Sequence, residues 1–167
     1  MEHRLIIFLG VQLSGKTTLA KAISQWSDIK FISLDEIRGE LFGPVLSGPK
    51  DWLNTTRKAL EDAKIKRAYE RLFEIIEREV GSGQPLIAEM PRLGNREAWL
   101  KQVAKSTGAK LKIIWCQIND DCDAELEKRV QDRQADPSAA PISKNDYLMF
   151  KKRIRKPALE YLVIDTS

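Results

Sequence analysis

The sequence predicts an α/β fold: a five-stranded parallel sheet with helices on both faces. Two observations lead to this prediction. Short, uninterrupted apolar runs alternate with longer amphipathic stretches, and the runs are rich in β-branched residues. A strand buried on both faces has such a continuous apolar run, and parallel neighbours are joined by helices. The length of 167 residues, with 43% hydrophobic and 31% charged residues, indicates a single globular domain over 1–167.

The elements follow from the spacing of apolar residues. The predicted strands are Arg4–Leu9, Phe31–Leu34, Pro85–Met90, Leu111–Ile118 and Tyr161–Ile164. The predicted helices are Thr17–Trp26, about Leu53–Val80, Asn95–Lys105, Asp123–Arg133, and a basic helix from Asn145 up to Pro157 within Asn145–Leu159. The expected apolar stripe of the long helix is Leu60, Ala63, Ala68, Leu72, Ile75 and Ile76. Segments rich in proline and small residues predict loops at Gly43–Lys50 and Ala135–Ser143.

Composition limits the class of protein. The net charge of +4 and the pI near 9.1 permit a phosphate-bearing partner without requiring one. Two cysteines give no disulfide framework, and the apolar run Leu5–Val11 is too short to span a membrane, so we expect a cytoplasmic protein with no membrane contact. His3 is the only histidine, which excludes Ser-His chemistry. Cys116 lies within a predicted strand and is expected in the hydrophobic core. The sequence gives no indication of a stable protein partner.

Residues 10–17, GVQLSGKT, match the phosphate-binding loop pattern (P-loop) at every fixed position. The loop follows a buried strand and precedes a helix, as the pattern requires. Its glycines let successive backbone N–H groups face a phosphate, and the amino end of the helix adds partial positive charge. Lys16 is predicted to reach the β- and γ-phosphates, and the Thr17 hydroxyl to ligate Mg²⁺. The predicted nucleotide-binding residues of this loop are Gly10, Leu13, Ser14, Gly15, Lys16, Thr17 and Thr18.

The sequence lacks the motifs that mark two other classes of P-loop protein. The sequence has no Asp-x-x-Gly after a strand and no Asn-Lys-x-Asp, which disfavours a GTPase switch. It also lacks the Leu-Ser-Gly-Gly-Gln signature of transport ATPases. The class of P-loop protein that remains is the small kinases.

Two stretches, GVQLSGKTT and ISLDEIRGELFG, resemble the small P-loop kinases that include polynucleotide 5′-hydroxyl kinases. The resemblance implies a P-loop kinase fold that uses ATP and Mg²⁺. It implies that Asp35 is the general base and that Arg38 holds the acceptor, often through a phosphate. It further implies a lid over about 129–145, with arginines four apart, Arg129 to bind ATP and Arg133 to act in catalysis.

The residues themselves support these roles and also leave alternatives open. Asp35 follows a strand, so it lies at the sheet edge that carries the P-loop. Ser33 and Glu36 alone, however, would form a capping box for the next helix. Arg129 and Arg133 share a helix face and could close over ATP, but a solvated face with a Glu125–Arg129 pair would have the same spacing.

Three further residues are candidates. Glu89 ends the third strand and is a predicted indirect ligand of Mg²⁺, although the family more often has Asp followed by Thr or Ser there. Arg92 is a candidate for binding an acceptor phosphate or a plain surface residue, and Trp52 is a candidate for stacking on a base. The basic run Phe150–Lys156 indicates either a solvated helix face or a contact with a polynucleotide backbone.

Three hypotheses follow. The first is an ATP-dependent kinase that acts on an alcohol, with a nucleic acid 5′-hydroxyl as the leading acceptor. The second is a kinase for a nucleoside, sugar or other metabolite, which would have a closed pocket rather than an exposed basic groove at Asp35. The third is a nucleotide-binding regulator without an acceptor, in which Asp35→Asn would change no measured activity.

Overall fold

Strands and helices alternate along the chain in this computed structural model, which describes residues 3–43, 55–119, 121–136 and 142–167. The strands are β1 (Arg4–Leu9), β2 (Lys30–Ser33), β3 (Leu86–Glu89), β4 (Lys110–Gln117) and β5 (Leu162–Asp165). The helices are α1 (Lys16–Ser27), α2 (Leu34–Phe42), α3 (Thr55–Gly81), α4 (Glu97–Thr107), α5 (Asp123–Ala135) and α6 (Lys144–Arg153). Each of the five predicted strands is confirmed, with every bound within one residue.

The five strands form one parallel sheet in the order β2-β3-β1-β4-β5. The chain leaves the central strand β1 towards β2, returns to β3, and then crosses β1 to reach β4. The strand order therefore reverses beside β1, and in such sheets a crevice for ligands opens outside the carboxyl ends at that point. The predicted α/β fold with a parallel sheet is confirmed.

One face of the sheet is covered by α2, α3 and α4. Their apolar residues pack with inward-facing residues of β1, β3 and β4 in the larger core cluster. Leu72 and Ile76 of α3 and Leu100 of α4 are fully buried there. This layer fixes α2, and with it the residues that follow β2, against the sheet.

The opposite face packs against α1 through a smaller cluster that includes Phe8, Ala20 and Cys116. Cys116 is 1% exposed, as expected from its place within a strand. Burial raises the pKa of its thiol to about 11, so the thiol stays protonated at neutral pH and behaves as a small apolar group.

A third cluster joins α5 and α6 to the carboxyl edge of the sheet. Leu126 and Val130 of α5 pack with Tyr147 of α6 around Val11 and Ile118, the residues that lie just beyond β1 and β4. This packing holds α5 directly beside the loop that follows β1.

Two predictions about helices were wrong. The basic helix α6 ends at Arg153 and does not continue to Pro157, because a proline cannot donate to the carbonyl four residues earlier and its ring clashes with that carbonyl. The stripe of α3 was predicted to be buried from Leu60 onward, but Leu60 is 57% exposed and Ala63 is exposed as well. At 27 residues the helix is about 40 Å long, longer than the strands it covers, so only its carboxyl-terminal part can face the sheet.

Among the helices that the structure describes, none is both long enough and apolar enough to cross a lipid bilayer.

The two ends of the α3 stripe should respond differently to truncation. Leu72→Ala removes a fully buried side chain from the larger core cluster, so we expect the free energy of unfolding to fall by about 3 kcal/mol. Chemical denaturation followed by circular dichroism measures this change.

Leu60→Ala is the matched control, because it makes the same truncation on the same helix at an exposed position. Its expected effect lies within about 0.5 kcal/mol of zero. Equal losses at positions 60 and 72 would contradict the placement of α3.

Candidate active site

The P-loop between β1 and α1 turns through three residues with positive φ. The φ angles are 145° at Gly10, 66° at Leu13 and 70° at Gly15. A Cβ at Gly10 would lie 2.3 Å from the carbonyl oxygen of Cys116, so only glycine fits. A loop of this shape at the amino end of a helix presents backbone N–H groups to an anion.

Lys16, the first residue of α1, is turned into the protein. Its Nζ lies 3.2 Å from Oε1 of Glu89, and both side chains are less than a tenth exposed. The same Nζ donates a hydrogen bond of 3.4 Å to the Val11 carbonyl. The Ser33 hydroxyl donates a bond of 2.8 Å to the other Glu89 oxygen, Oε2. Both carboxylate oxygens therefore have a partner inside the protein.

Strand register brings this group together. Glu89 pairs with Phe8 of β1 on one side and with Ser33 of β2 on the other. Paired residues of parallel strands point to the same face of the sheet, so the serine, the glutamate and the base of the P-loop meet at one level.

Ser33 also begins α2, but not through the predicted capping box. Its hydroxyl oxygen accepts from the backbone N–H of Asp35 at 3.2 Å. The Glu36 carboxylate lies 2.8 Å from Lys21 Nζ in a partly exposed ion pair. The Ser33 hydroxyl donates its proton to Glu89. In this orientation its oxygen accepts from the backbone N–H of Asp35, and not from that of Glu36 as a capping box requires.

Asp35 and the P-loop line the same open cleft, whose volume is about 850 Å³. The P-loop contributes Leu13 and residues 15–18, α2 contributes Asp35, and α5 contributes Arg129 and Arg133. Gly10, Ser14 and Glu89 are not part of the cleft lining. The side chain of Ser14 is fully buried, and its hydroxyl has no hydrogen-bond partner among the residues that the structure describes.

Asp35 is 58% exposed, and its neighbour Arg38 is bound to two acids. Arg38 Nη1 lies 3.6 Å from Asp35, and Nη2 lies 3.8 Å from Glu61 of α3. The arginine is only 17% exposed. The structure thus brings the two predicted acceptor-site residues together and adds a third, Glu61, that the sequence did not single out.

Arg129 is bound to protein groups. Its Nε donates to Glu125 at 2.6 Å, which lowers the pKa of that carboxyl below its usual value. Nη1 donates to the Leu13 carbonyl at 2.9 Å and to the Thr166 hydroxyl at 3.1 Å, and Nη2 donates to the Thr166 carbonyl. The expected Glu125–Arg129 pair is therefore present, in the wall of the cleft.

Arg92 is exposed outside the cleft lining, but its backbone reaches the neighbourhood of Asp35. The Tyr69 hydroxyl donates to the Arg92 carbonyl at 3.1 Å. Burial raises the pKa of Tyr69 to about 12; the charge of Arg92 opposes this shift, and that of Asp35 adds to it. Tyr69 therefore stays protonated and remains a donor at neutral pH.

Sequence reasoning missed two contacts in this region. Thr166 follows β5 directly, so the rule that ligands bind at the carboxyl ends of the strands, applied to the last strand, would have identified it. The bond between Ser33 and Glu89 joins residues 56 positions apart and has no local signal. Trp52, the candidate for stacking on a base, lies outside the described residues.

The buried ion pair predicts an unusual response to nucleotide. Glu89→Gln leaves the Lys16 ammonium buried without its counter-ion, which we expect to lower the free energy of unfolding by about 3–5 kcal/mol. ADP should recover much of this loss, because its phosphates supply the missing negative charge. Thermal unfolding with and without ADP measures both effects.

Glu36→Gln serves as the control, since it removes the acid of an ion pair whose side chains are about half exposed. The expected loss is below about 1 kcal/mol and independent of ADP. A Glu89 variant as stable as this control would contradict the coupling between Lys16 and Glu89.

Solved structures with the same fold include several kinases. A provisionally assigned kinase from Chloroflexus aurantiacus superposes with a TM-score of 0.71 at 22% identity, over 98% of this chain and 85% of that one. A gluconokinase from Sinorhizobium meliloti gives 0.58 at 17% identity, over 98% and 83%. A chain of the Pnkp1/Rnl/Hen1 RNA repair complex gives 0.59 at 18% identity, over 92% and 44%. At these identities the likeness shows a shared fold.

No curated protein sequence matches the chain significantly. Residues 5–157, however, match the AAA_33 family, described as an AAA domain. This match begins within β1 and extends beyond α6, so it includes the P-loop, Asp35 and α5. The chain therefore belongs to the AAA_33 family and has a P-loop kinase fold.

Proposed function

We propose that the protein is a phosphotransferase that moves the γ-phosphate of ATP to an alcohol acceptor. The observation that carries the proposal is the shared cleft: Asp35 and residues 15–18 of the P-loop line the same cavity. Phosphoryl transfer needs an acceptor hydroxyl beside the terminal phosphate and a group that accepts its proton. The exposed carboxylate of Asp35 supports this proposal, because it can accept the proton of a hydroxyl that enters the cleft.

The proposed transfer makes one bond and breaks one. The acceptor oxygen bonds to the γ-phosphorus while the bond from that phosphorus to the β–γ bridging oxygen breaks, and the hydroxyl proton passes to Asp35. Lys16 exchanges its contact with Glu89 for the β- and γ-phosphates. Arg133 lines the cleft from α5 and neutralises charge that develops on the leaving oxygen. Arg129 contributes to ATP binding from the same helix face, and the region over about 129–145 serves as the lid.

The residues present suit Mg²⁺, which prefers one or two protein oxygens together with phosphate and water ligands. Thr17 is among the residues that line the cleft, and Glu89 forms an ion pair with Lys16. Thr17 would hold the ion directly and Glu89 through water. When bound, the ion supplies positive charge to the phosphate oxygens.

The leading acceptor is the 5′-hydroxyl of a nucleic acid. Asp35 is 58% exposed in an open cleft, so an acceptor too large to be enclosed can still reach it. Arg38 lies beside Asp35, and Arg92 is exposed on the segment that follows β3, and we assign both to bind phosphates of the polymer. Trp52 would then stack on a base of the bound strand.

A small polyol is the second candidate, and a specific contact favours it. Arg38 is bound to Asp35 and Glu61, so its charge is already balanced and the group offers acceptors for hydroxyl donors. One of the solved structures with this fold is a gluconokinase. A metabolite kinase would need this pocket closed around its substrate.

Incubation with γ-labelled ATP and two acceptor pools tests the acceptor. One pool holds 5′-hydroxyl oligonucleotides, and the other holds nucleosides, sugars and sugar acids. We expect label to enter the oligonucleotides. Label only in the second pool would assign the metabolite kinase, and label released only as free phosphate would contradict phosphotransfer to either.

Asp35→Asn tests the base in the same assay. Loss of a general base should lower the rate of transfer by about 100-fold or more, while ADP affinity remains within about twofold. Asp62→Asn makes the same change at an exposed position of α3 and should have no effect. Unchanged transfer in Asp35→Asn would favour a nucleotide-binding regulator over a kinase.

A further inference from the structure

The outer side of the P-loop must be held by the rest of the protein. The N–H groups of such a loop turn towards a phosphate, so its carbonyls turn towards the protein and need donors. Leu13 adopts a left-handed conformation with φ of 66°, which is unfavourable for a leucine and persists only where neighbouring groups enforce it. Leu13 and Ser14 are therefore the positions where support matters most.

Thr166 supplies part of that support from the end of β5. Its hydroxyl lies 2.9 Å from the Ser14 carbonyl oxygen and 3.2 Å from that of Gln117. Its backbone N–H donates to the same Gln117 carbonyl at 3.0 Å, which fixes the residue on β4. A Cβ at Gly15 would come within 3.2 Å of the Thr166 side chain, so the threonine lies directly against the loop.

Arg129 supplies the rest from α5. Its Nη1 bonds to the Leu13 carbonyl and the Thr166 hydroxyl, and its Nη2 bonds to the Thr166 carbonyl. Glu125, one turn earlier on the helix, accepts a hydrogen bond from Nε of Arg129. All three nitrogens of the guanidinium therefore donate to protein oxygens, and four of its five N–H groups are used in these bonds.

We infer that Arg129 and Thr166 are positioning residues that hold the P-loop in its phosphate-binding shape. They bind consecutive carbonyls of the loop, Leu13 and Ser14, and they bind each other. Arg129 thus contributes to nucleotide binding through the loop, and it couples α5 to the loop. This inference rests on the phosphate-binding part of the proposed function and is independent of the transfer step.

Calorimetric titration with tripolyphosphate and with ADP tests the inference. Tripolyphosphate has no nucleobase or ribose and binds only to the P-loop, so its affinity reports on the shape of the loop alone. Thr166→Val keeps the size of the side chain and removes its hydroxyl; we expect the Kd of both probes to rise about 5- to 10-fold. Arg129→Lys keeps the positive charge but removes the planar guanidinium group with its several donors, and we expect the Kd of both probes to rise by a similar or larger factor. The double variant should be no weaker than the weaker single variant, because the two side chains act as a unit.

Two control variants match these changes away from the cleft. Thr107→Val removes a hydroxyl that donates to the Val103 carbonyl in α4 at 2.7 Å, and Arg71→Lys alters an ion pair on the surface of α3. Both should bind the probes like the unmodified protein. Thermal unfolding without ligand is compared for Thr166→Val and Thr107→Val, and a loss of probe binding at a temperature where both variants are fully folded separates a loss of loop shape from a loss of general stability.

Three results would overturn the inference. They are unchanged tripolyphosphate binding in Thr166→Val, fully additive effects in the double variant, and a loss in Arg129→Lys that appears with ADP but not with tripolyphosphate. The last result would mean that Arg129 contacts the nucleoside directly. Failure of the unmodified protein to bind either probe would instead contradict the proposed function itself.

Discussion

The buried pair of Lys16 and Glu89 is the contact on which the site depends. It joins the first residue of α1 to the last residue of β3 and therefore links the P-loop to the sheet. Ser33 extends the link to β2, because its hydroxyl donates to Glu89 while it accepts from the backbone of Asp35. One chain of contacts thus connects the lysine of the P-loop with the carboxylate proposed to accept the proton.

This arrangement has an energetic consequence. Two charges in a dry interior stabilise the fold only while each has its partner. A phosphate that drew Lys16 towards the cleft would replace one anion near the ammonium with another, and Glu89 would retain the hydroxyl of Ser33 as a hydrogen-bond donor. Under the proposed function, nucleotide binding would therefore keep the ammonium of Lys16 paired with an anion, while the buried Glu89 carboxylate would lose its counter-ion.

The P-loop is supported on both sides by elements that are distant in sequence. Glu89 holds the lysine on the inner side, and Thr166 and Arg129 hold the carbonyls on the outer side. The packing of α5 on Val11 and Ile118 places Arg129 within reach. The same helix carries Arg133, which lines the cleft, so a movement of α5 would act on the loop and on Arg133 together.

The sequence by itself determined the five strands, the P-loop and the place of Asp35 after β2, because each of these depends on residues close together along the chain. Only the tertiary structure decided which distant residues meet: Ser33 with Glu89, and Thr166 with Arg129. It also decided that Leu60 is exposed, because helical spacing defines an apolar stripe but not how far the sheet extends beneath it. These outcomes follow from strand order and register, which the local spacing of residues does not encode.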